Sequence, residues 1–289
     1  ITRPAYGIFA LSILPLGIAE RLSFPHRVLE RTFAQYNQAL FSMQTISINF
    51  IVPQGWHELS DKQLRYVYQL LANEFATDEV KTLCLLQWSG TKVIGRQDSG
   101  AYLLKKGKIL FEVTPLTLAE LLPHLEWLGS LPTVPVRISK INRQHALPAD
   151  FSEVPFETFI ICDNLYQGYL QTQNDELLDQ LGATLYGKSM TFKPYERINI
   201  FYWFAALKDT FSRKYPDFFQ PIDAATGGNL LGSSASSVED AMNAQIRALT
   251  KGDVTKEAEV LALDTHRALT ELNAQAREYK ELNAKTASK

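Results

Sequence analysis

The residues able to do chemistry are scattered along the chain. The five histidines, His26, His57, His124, His145 and His266, show no pairing at metal-ligand spacing, and neither Cys84 nor Cys162 has a close partner of that kind. Asp175 and Asp179 stand four residues apart, so they would share a helix face, with Asp163 and Glu176 nearby. That is the nearest approach to an acid/base pair, but acids at a helix start ordinarily serve the positive end of its dipole. No phosphate-cradling loop occurs: Gly227-Gly228 lacks both the following Gly-Lys-Ser/Thr and a preceding strand. The Gly/Ser run over 232–237 lacks the Gly-x-Ser-x-Gly elbow and reads as linker. The expectation is a protein with no catalytic residues, no metal and no cofactor.

Lys105, Lys106 and Lys108 fall at a predicted hairpin tip beside Tyr102 and Phe111. A basic group interleaved with aromatics can touch nucleic acid, which makes a nucleic-acid-associated protein the alternative reading. A net charge of -2 and a pI near 6.3 supply no global field for it. Nucleic acid is therefore not the expected partner. His124 follows Pro123 in an apolar helix and reads as a packed or edge residue, while His266 beside Arg267 reads as solvated.

Elements must position these groups, and the chain of 289 residues can hold one large or two small domains. A hydrophobic fraction of 46% suffices for real cores. Both cysteines lie in apolar helical contexts and fit buried thiols in a reducing compartment. No apolar run reaches the ~18 residues of a membrane span.

Residues 1–42 read as an atypical extension outside the native fold, because the first clean strand pattern begins just after Met43. Residues 8–18 are apolar but short, broken by Pro15 and Gly17, and no convincing small-residue cleavage site follows them. Ile46, Ile48, Phe50 and Val52 then alternate as one face of a half-buried strand. Ser60 precedes a helix over 61–73, and Thr77 caps a second that runs through Trp88. Residues 90–100 read as turns, 102–104 and 109–113 as a hairpin, 117–128 as a helix, and 129–150 as an irregular connection. Helices follow at 156–170, 174–186 and 197–215, the last rich in aromatics. Tyr195, Phe201, Tyr202 and Trp203 read as core rather than as a docking face. The resulting class is α+β, predominantly α-helical. Its parts are a small α/β domain (43–150), a helical domain (151–221), a flexible linker (222–235) and a carboxyl-terminal helical hairpin (236–289).

That hairpin carries the functional expectation. Ser236 and Glu239 have capping-box spacing, and Gly252 can supply a left-handed stop. Beyond it a continuous helix is expected over 254–283, roughly 45 Å long at about 1.5 Å per residue. Leu261, Ala268, Leu269, Leu272, Ala276 and Tyr279 form its narrow stripe. Such a stripe either folds back on its own domain or grips a partner helix or a second copy. We take gripping as the expectation. The stripe has too few bulky residues for a membrane surface.

Three stretches carry a resemblance. They are Phe201-Tyr-Trp-Phe-Ala-Ala-Leu-Lys with Tyr215-Pro-Asp-Phe-Phe, Met242-Asn-Ala-Gln-Ile-Arg-Ala-Leu-Thr-Lys-Gly-Asp-Val-Thr-Lys-Glu, and Ala268-Leu-Thr-Glu-Leu-Asn-Ala. Over roughly its last third, the chain resembles structural and chaperone-like tail-assembly proteins of tailed bacteriophages and prophages. The resemblance implies a non-enzymatic role, holding an aggregation-prone helical partner such as a tape-measure protein or taking a place in the virion. It also implies a location in host cytoplasm or virion, and the cysteines, which fit a reducing compartment, argue against export. The 43–150 region lies outside it.

Overall fold

A computed structural model describes residues 7–13, 46–188, 191–219 and 235–287. Its strands are β1 (Gly7–Ile13), β2 (Ile46–Val52), β3 (Thr91–Arg96), β4 (Tyr102–Lys106), β5 (Ile109–Val113), β6 (Lys140–Ile141) and β7 (Gln144–His145). Its α-helices are α1 (Asp61–Ala72), α2 (Thr77–Trp88), α3 (Pro115–Leu121), α4 (Phe156–Thr172) and α5 (Asp175–Tyr186). They continue with α6 (Pro194–Lys214), α7 (Pro216–Phe219), α8 (Ala235–Thr250), α9 (Glu257–Leu261) and α10 (Thr265–Ala287). The fold is α+β and mainly helical, as composition and periodicity predict.

Contacts divide the chain elsewhere than composition does. One unit joins Ile1–Leu59 to Glu74–Ser130, and the other joins Ser60–Asn73 to Leu131–Lys289. The reason is α1, which packs on α6 and so belongs with the later helices. The carboxyl-terminal helices belong to the same unit as the helical middle. The predicted linker over 222–235 falls almost wholly outside the described residues, as does most of 1–42.

In the first unit β1 and β2 pair antiparallel from Gly7 opposite Val52 to Ile13 opposite Ile46, so part of the predicted extension supplies a strand. Ile48, Phe50 and Val52 are buried, as their alternation requires. Residues 91–96, predicted as turns, form β3 at the edge of a β3-β4-β5 antiparallel sheet. A bulge between Val93 and Gly95 disguises the alternation. Thr77 is the first residue of α2 rather than its cap; the Ala76 amide instead donates to Glu79 at 2.9 Å. The helix predicted over 117–128 starts at Pro115 behind a Thr114 cap and passes into tight 3-10 turns over Leu122–Gly129. Pro123 explains the change, since it cannot donate to the ladder. Those turns bring Trp127 edge-on to Trp56 at 5.5 Å and stacked on Trp88 at 6.1 Å.

In the second unit α6 is the central helix and buries Ile200, Trp203, Phe204, Leu207 and Phe211. Helices α1 and α5 lie against it, and α4 pairs with α5. The predicted aromatic core is real at Trp203, and Tyr202 meets the buried Tyr68 edge-on at 5.6 Å. The irregular segment before α4 is pinned rather than loose. Asp61 accepts from the Ser139 amide and hydroxyl (3.0 and 2.6 Å), Arg65 donates to the Lys140 carbonyl, and Trp203 Nε1 donates to the Ala149 carbonyl at 2.8 Å.

Candidate interaction surface

The helix expected to run unbroken over 254–283 is interrupted. A 3-10 turn at Val254–Lys256 leads into α9, the chain leaves helical geometry at Ala262–Asp264, and α10 begins at Thr265. Asp264 is the cause: its carboxylate accepts from the Arg267 amide at 3.1 Å, an N-cap bond. The other oxygen accepts from the Glu153 amide at 2.8 Å. Around it the backbone is stitched to the segment before α4. The Phe156 amide donates to the Leu263 carbonyl at 2.8 Å and the Thr265 amide to the Val154 carbonyl at 2.9 Å. The Thr265 hydroxyl also donates to Val154, at 2.7 Å.

This stitching fixes which way α10 faces. Ala268 and Leu269 are 0% exposed and Leu272 4%, so the first half of the predicted stripe is sealed into the unit's own interior. Leu261, on α9, and Ala276 are half-buried. The last predicted position, Tyr279, is 62% exposed. Leu282, absent from the predicted stripe, is 63% exposed and lies one turn on. The helical period could have found it, because it continues the stripe by three residues. The six predicted residues therefore do not form one surface. Three serve as core, and the outer end of α10 presents Tyr279 and Leu282 together.

The neighbourhood of α10 is built to hold it still. His266, expected to be solvated, is clamped: Nε2 donates to the Asp150 carbonyl at 2.8 Å. Its Nδ1 then accepts from the Tyr215 hydroxyl at 2.9 Å, and its ring stands edge-on to Phe211 at 5.3 Å. Short α7 braces the middle of α10, with the Phe218 amide donating to Asn273 Oδ1 at 3.1 Å and Lys280 paired to Asp217 at 3.2 Å.

Asp163, Asp175 and Asp179 are held in ion pairs and both thiols are buried, whereas His57, His145 and His124, the last read as a packed or edge residue, are exposed. Arg197 binds Asp179 through two nitrogens (2.8 and 2.7 Å) and reaches Asp175 at 2.7 Å. That hydrogen bonding holds the Asp179 carboxyl below the usual range. Asp163 is paired with Lys208 at 2.7 Å, mostly out of solvent. Both thiols are buried, and desolvation pushes Cys84 up to about 12 and Cys162 further still. Among the described residues, no group of three His, Cys, Asp or Glu side chains could hold a metal ion. Nor is any helix among them long and apolar enough to cross a membrane.

The lysine trio does not make a single patch. Adjacent residues on a strand point to opposite faces, so Lys105 and Lys106 diverge. Lys105 and Lys108 are exposed. Lys106 turns inward, donates to the Asn49 carbonyl of β2 and sits 5.5 Å from the centre of the Phe50 ring. Burial pulls its pKa down.

In comparisons with known proteins, no family model, curated protein or solved structure matches this chain.

Proposed function

We propose that this chain is a non-enzymatic assembly or structural protein of the tailed-phage type, which holds a helical partner on the outer end of α10. One observation carries the reading: Tyr279 and Leu282 stand more than half exposed on consecutive turns of a helix whose base is locked into the protein. Large apolar side chains held outward on a rigid support are the anchors from which helix-binding surfaces are made. The ion-paired state of Asp163, Asp175 and Asp179 and the burial of both thiols favour binding over catalysis. The resemblance of the last third to tail-assembly proteins supplies the partner class, a long helical virion component.

The experiment is co-purification of the full chain with the products of the genes flanking its own. Tyr279→Glu combined with Leu282→Glu is expected to abolish capture and leave the helical circular dichroism and melting temperature unchanged, since neither side chain is buried. Capture that survives the double substitution would overturn the reading.

A further inference from the structure

The outer end of α10 is patterned in charge as well as in apolarity, and the pattern is symmetric. Gln275, Tyr279, Leu282 and Thr286 follow one another at intervals of four, three and four, so they lie along one seam. Glu278 and Lys285 are a heptad apart and flank the same side of that seam. Both are exposed. Turning the helix end for end about an axis midway between Tyr279 and Leu282 carries each of these two charges to the neighbourhood of the other.

We propose that this helix end pairs antiparallel with the same segment of a second copy of the chain. Tyr279 of each copy packs on Leu282 of the other, Gln275 faces Thr286, and Glu278 meets Lys285 on both sides of the two-fold axis. The inference rests on reading the outer end of α10 as a partner-binding surface, and it adds a second copy of the chain as an occupant of that surface before the longer helix arrives. Parallel pairing lacks this complementarity, because it sets Glu278 beside the uncharged Asn283 of the other copy. A two-fold contact also closes on itself, giving a pair rather than a filament. The paired segment is short: residues 275–286 of each helix span about 18 Å. Such a contact buries far less than the roughly 1,200 Å² of a standard stable interface. The pair is therefore reversible, dissociating on dilution and open to exchange for a longer helix.

Charge reversal tests it in the full chain by sedimentation equilibrium. Glu278→Lys alone and Lys285→Glu alone set like charges together, and each is expected to raise the dimer dissociation constant at least fivefold. The two reversals combined restore opposite charges across the axis and return the constant to within twofold of the parent. A heterologous surface of fixed charge gives no such rescue. Orientation is read by disulfide formation: a mixture of Gln275→Cys and Thr286→Cys proteins is expected to cross-link between the two variants more than either does with itself. The native thiols are buried and do not compete.

A chain that stays monomeric at its highest soluble concentration, or a double reversal without rescue, overturns the self-pairing. If Tyr279→Glu with Leu282→Glu still abolishes capture of a flanking-gene product in that case, the partner-binding reading stands alone. If the substitution affects neither capture nor dimerisation, both readings fall.

Discussion

Asn199 and Tyr186 share a hydrogen bond of 3.1 Å from the Asn199 amide to the Tyr186 hydroxyl, and both close on one residue, Ile138. The Ile138 amide donates to Asn199 Oδ1 at 2.9 Å, and the Tyr186 hydroxyl donates to the Ile138 carbonyl at 2.7 Å. All three residues are buried, so the irregular strap before α4 is held by a closed ring of polar groups out of reach of water.

Tyr186→Phe and Asn199→Leu are each expected to destabilise the second unit by about 1–3 kcal/mol, because each leaves a buried partner unsatisfied. The double variant loses less than the sum, since the bond between the two side chains is lost only once, while both Ile138 groups are left unsatisfied as in the single variants. Urea unfolding of the four proteins gives the cycle. Additive losses would show that the ring does not act as one.

Gly182 of α5 faces Ile200 and Phe192 at close range. A Cβ there would lie 2.5 Å from both Ile200 Cδ1 and a ring carbon of Phe192. Alanine normally stabilises a helix interior by up to about 1 kcal/mol over glycine, but overpacking a filled core costs about 1–3 kcal/mol. Gly182→Ala is therefore expected to lower stability, read as a drop in the urea midpoint. A rise would mean that Phe192 and Ile200 move aside freely.

Asp179 supplies a pH signature. Its carboxyl is held low first by the Arg197 hydrogen bonds and further by the Phe192 amide at 3.2 Å. The unfolded chain, with an aspartate near the ordinary value of about 3.9, then binds the proton more readily than the fold does. The stabilisation is thus fully present above that value and is lost as pH falls through the folded one. Asp179→Asn is expected to cost about 1–2 kcal/mol at pH 7, and the gap from the parent narrows below about pH 4. A gap independent of pH would assign the loss to packing.

The thiols offer a kinetic test. Cys84 and Cys162 are fully covered, and their raised pKa values leave almost no thiolate at neutral pH. Alkylation by iodoacetamide at pH 8 is expected to wait on unfolding for both, followed by mass spectrometry with and without urea. Rapid labelling of the native protein would show an opening that reaches these helices.

Helix starts and apolar periods are legible in the order of the residues. Ile109–Val113 agrees residue for residue with its pattern, the helix through Trp88 ends where its pattern ends, and Ser60 stands directly before its helix. Other features are hidden for identifiable reasons. β3 carries a bulge and an internal glycine, which break the alternation a strand is recognised by. The break before α10 depends on Asp264 meeting Glu153, a contact between residues far apart in sequence. The stripe on α10 shows how a surface can be half legible. Its period says that Leu269, Leu272 and Tyr279 face one direction, but only the folded chain says where the covering atoms stop. Lys106 is the same case on a strand: its neighbours suggest a basic tip, and its pleat sends it inward.

Helix α1 has a consequence for how the protein is made. It is synthesised early, yet its packing surface on α6 leaves the ribosome long afterwards, since the intervening chain includes about half of the other unit, Glu74–Ser130, and the segment before α4. Leu64, Val67 and Tyr68, buried in the finished fold, must stay uncovered through that interval. Non-local closure of this kind slows folding and exposes sticky surface to other nascent chains. Slowing elongation downstream of this amphipathic helix is therefore expected to lengthen its exposure rather than relieve it.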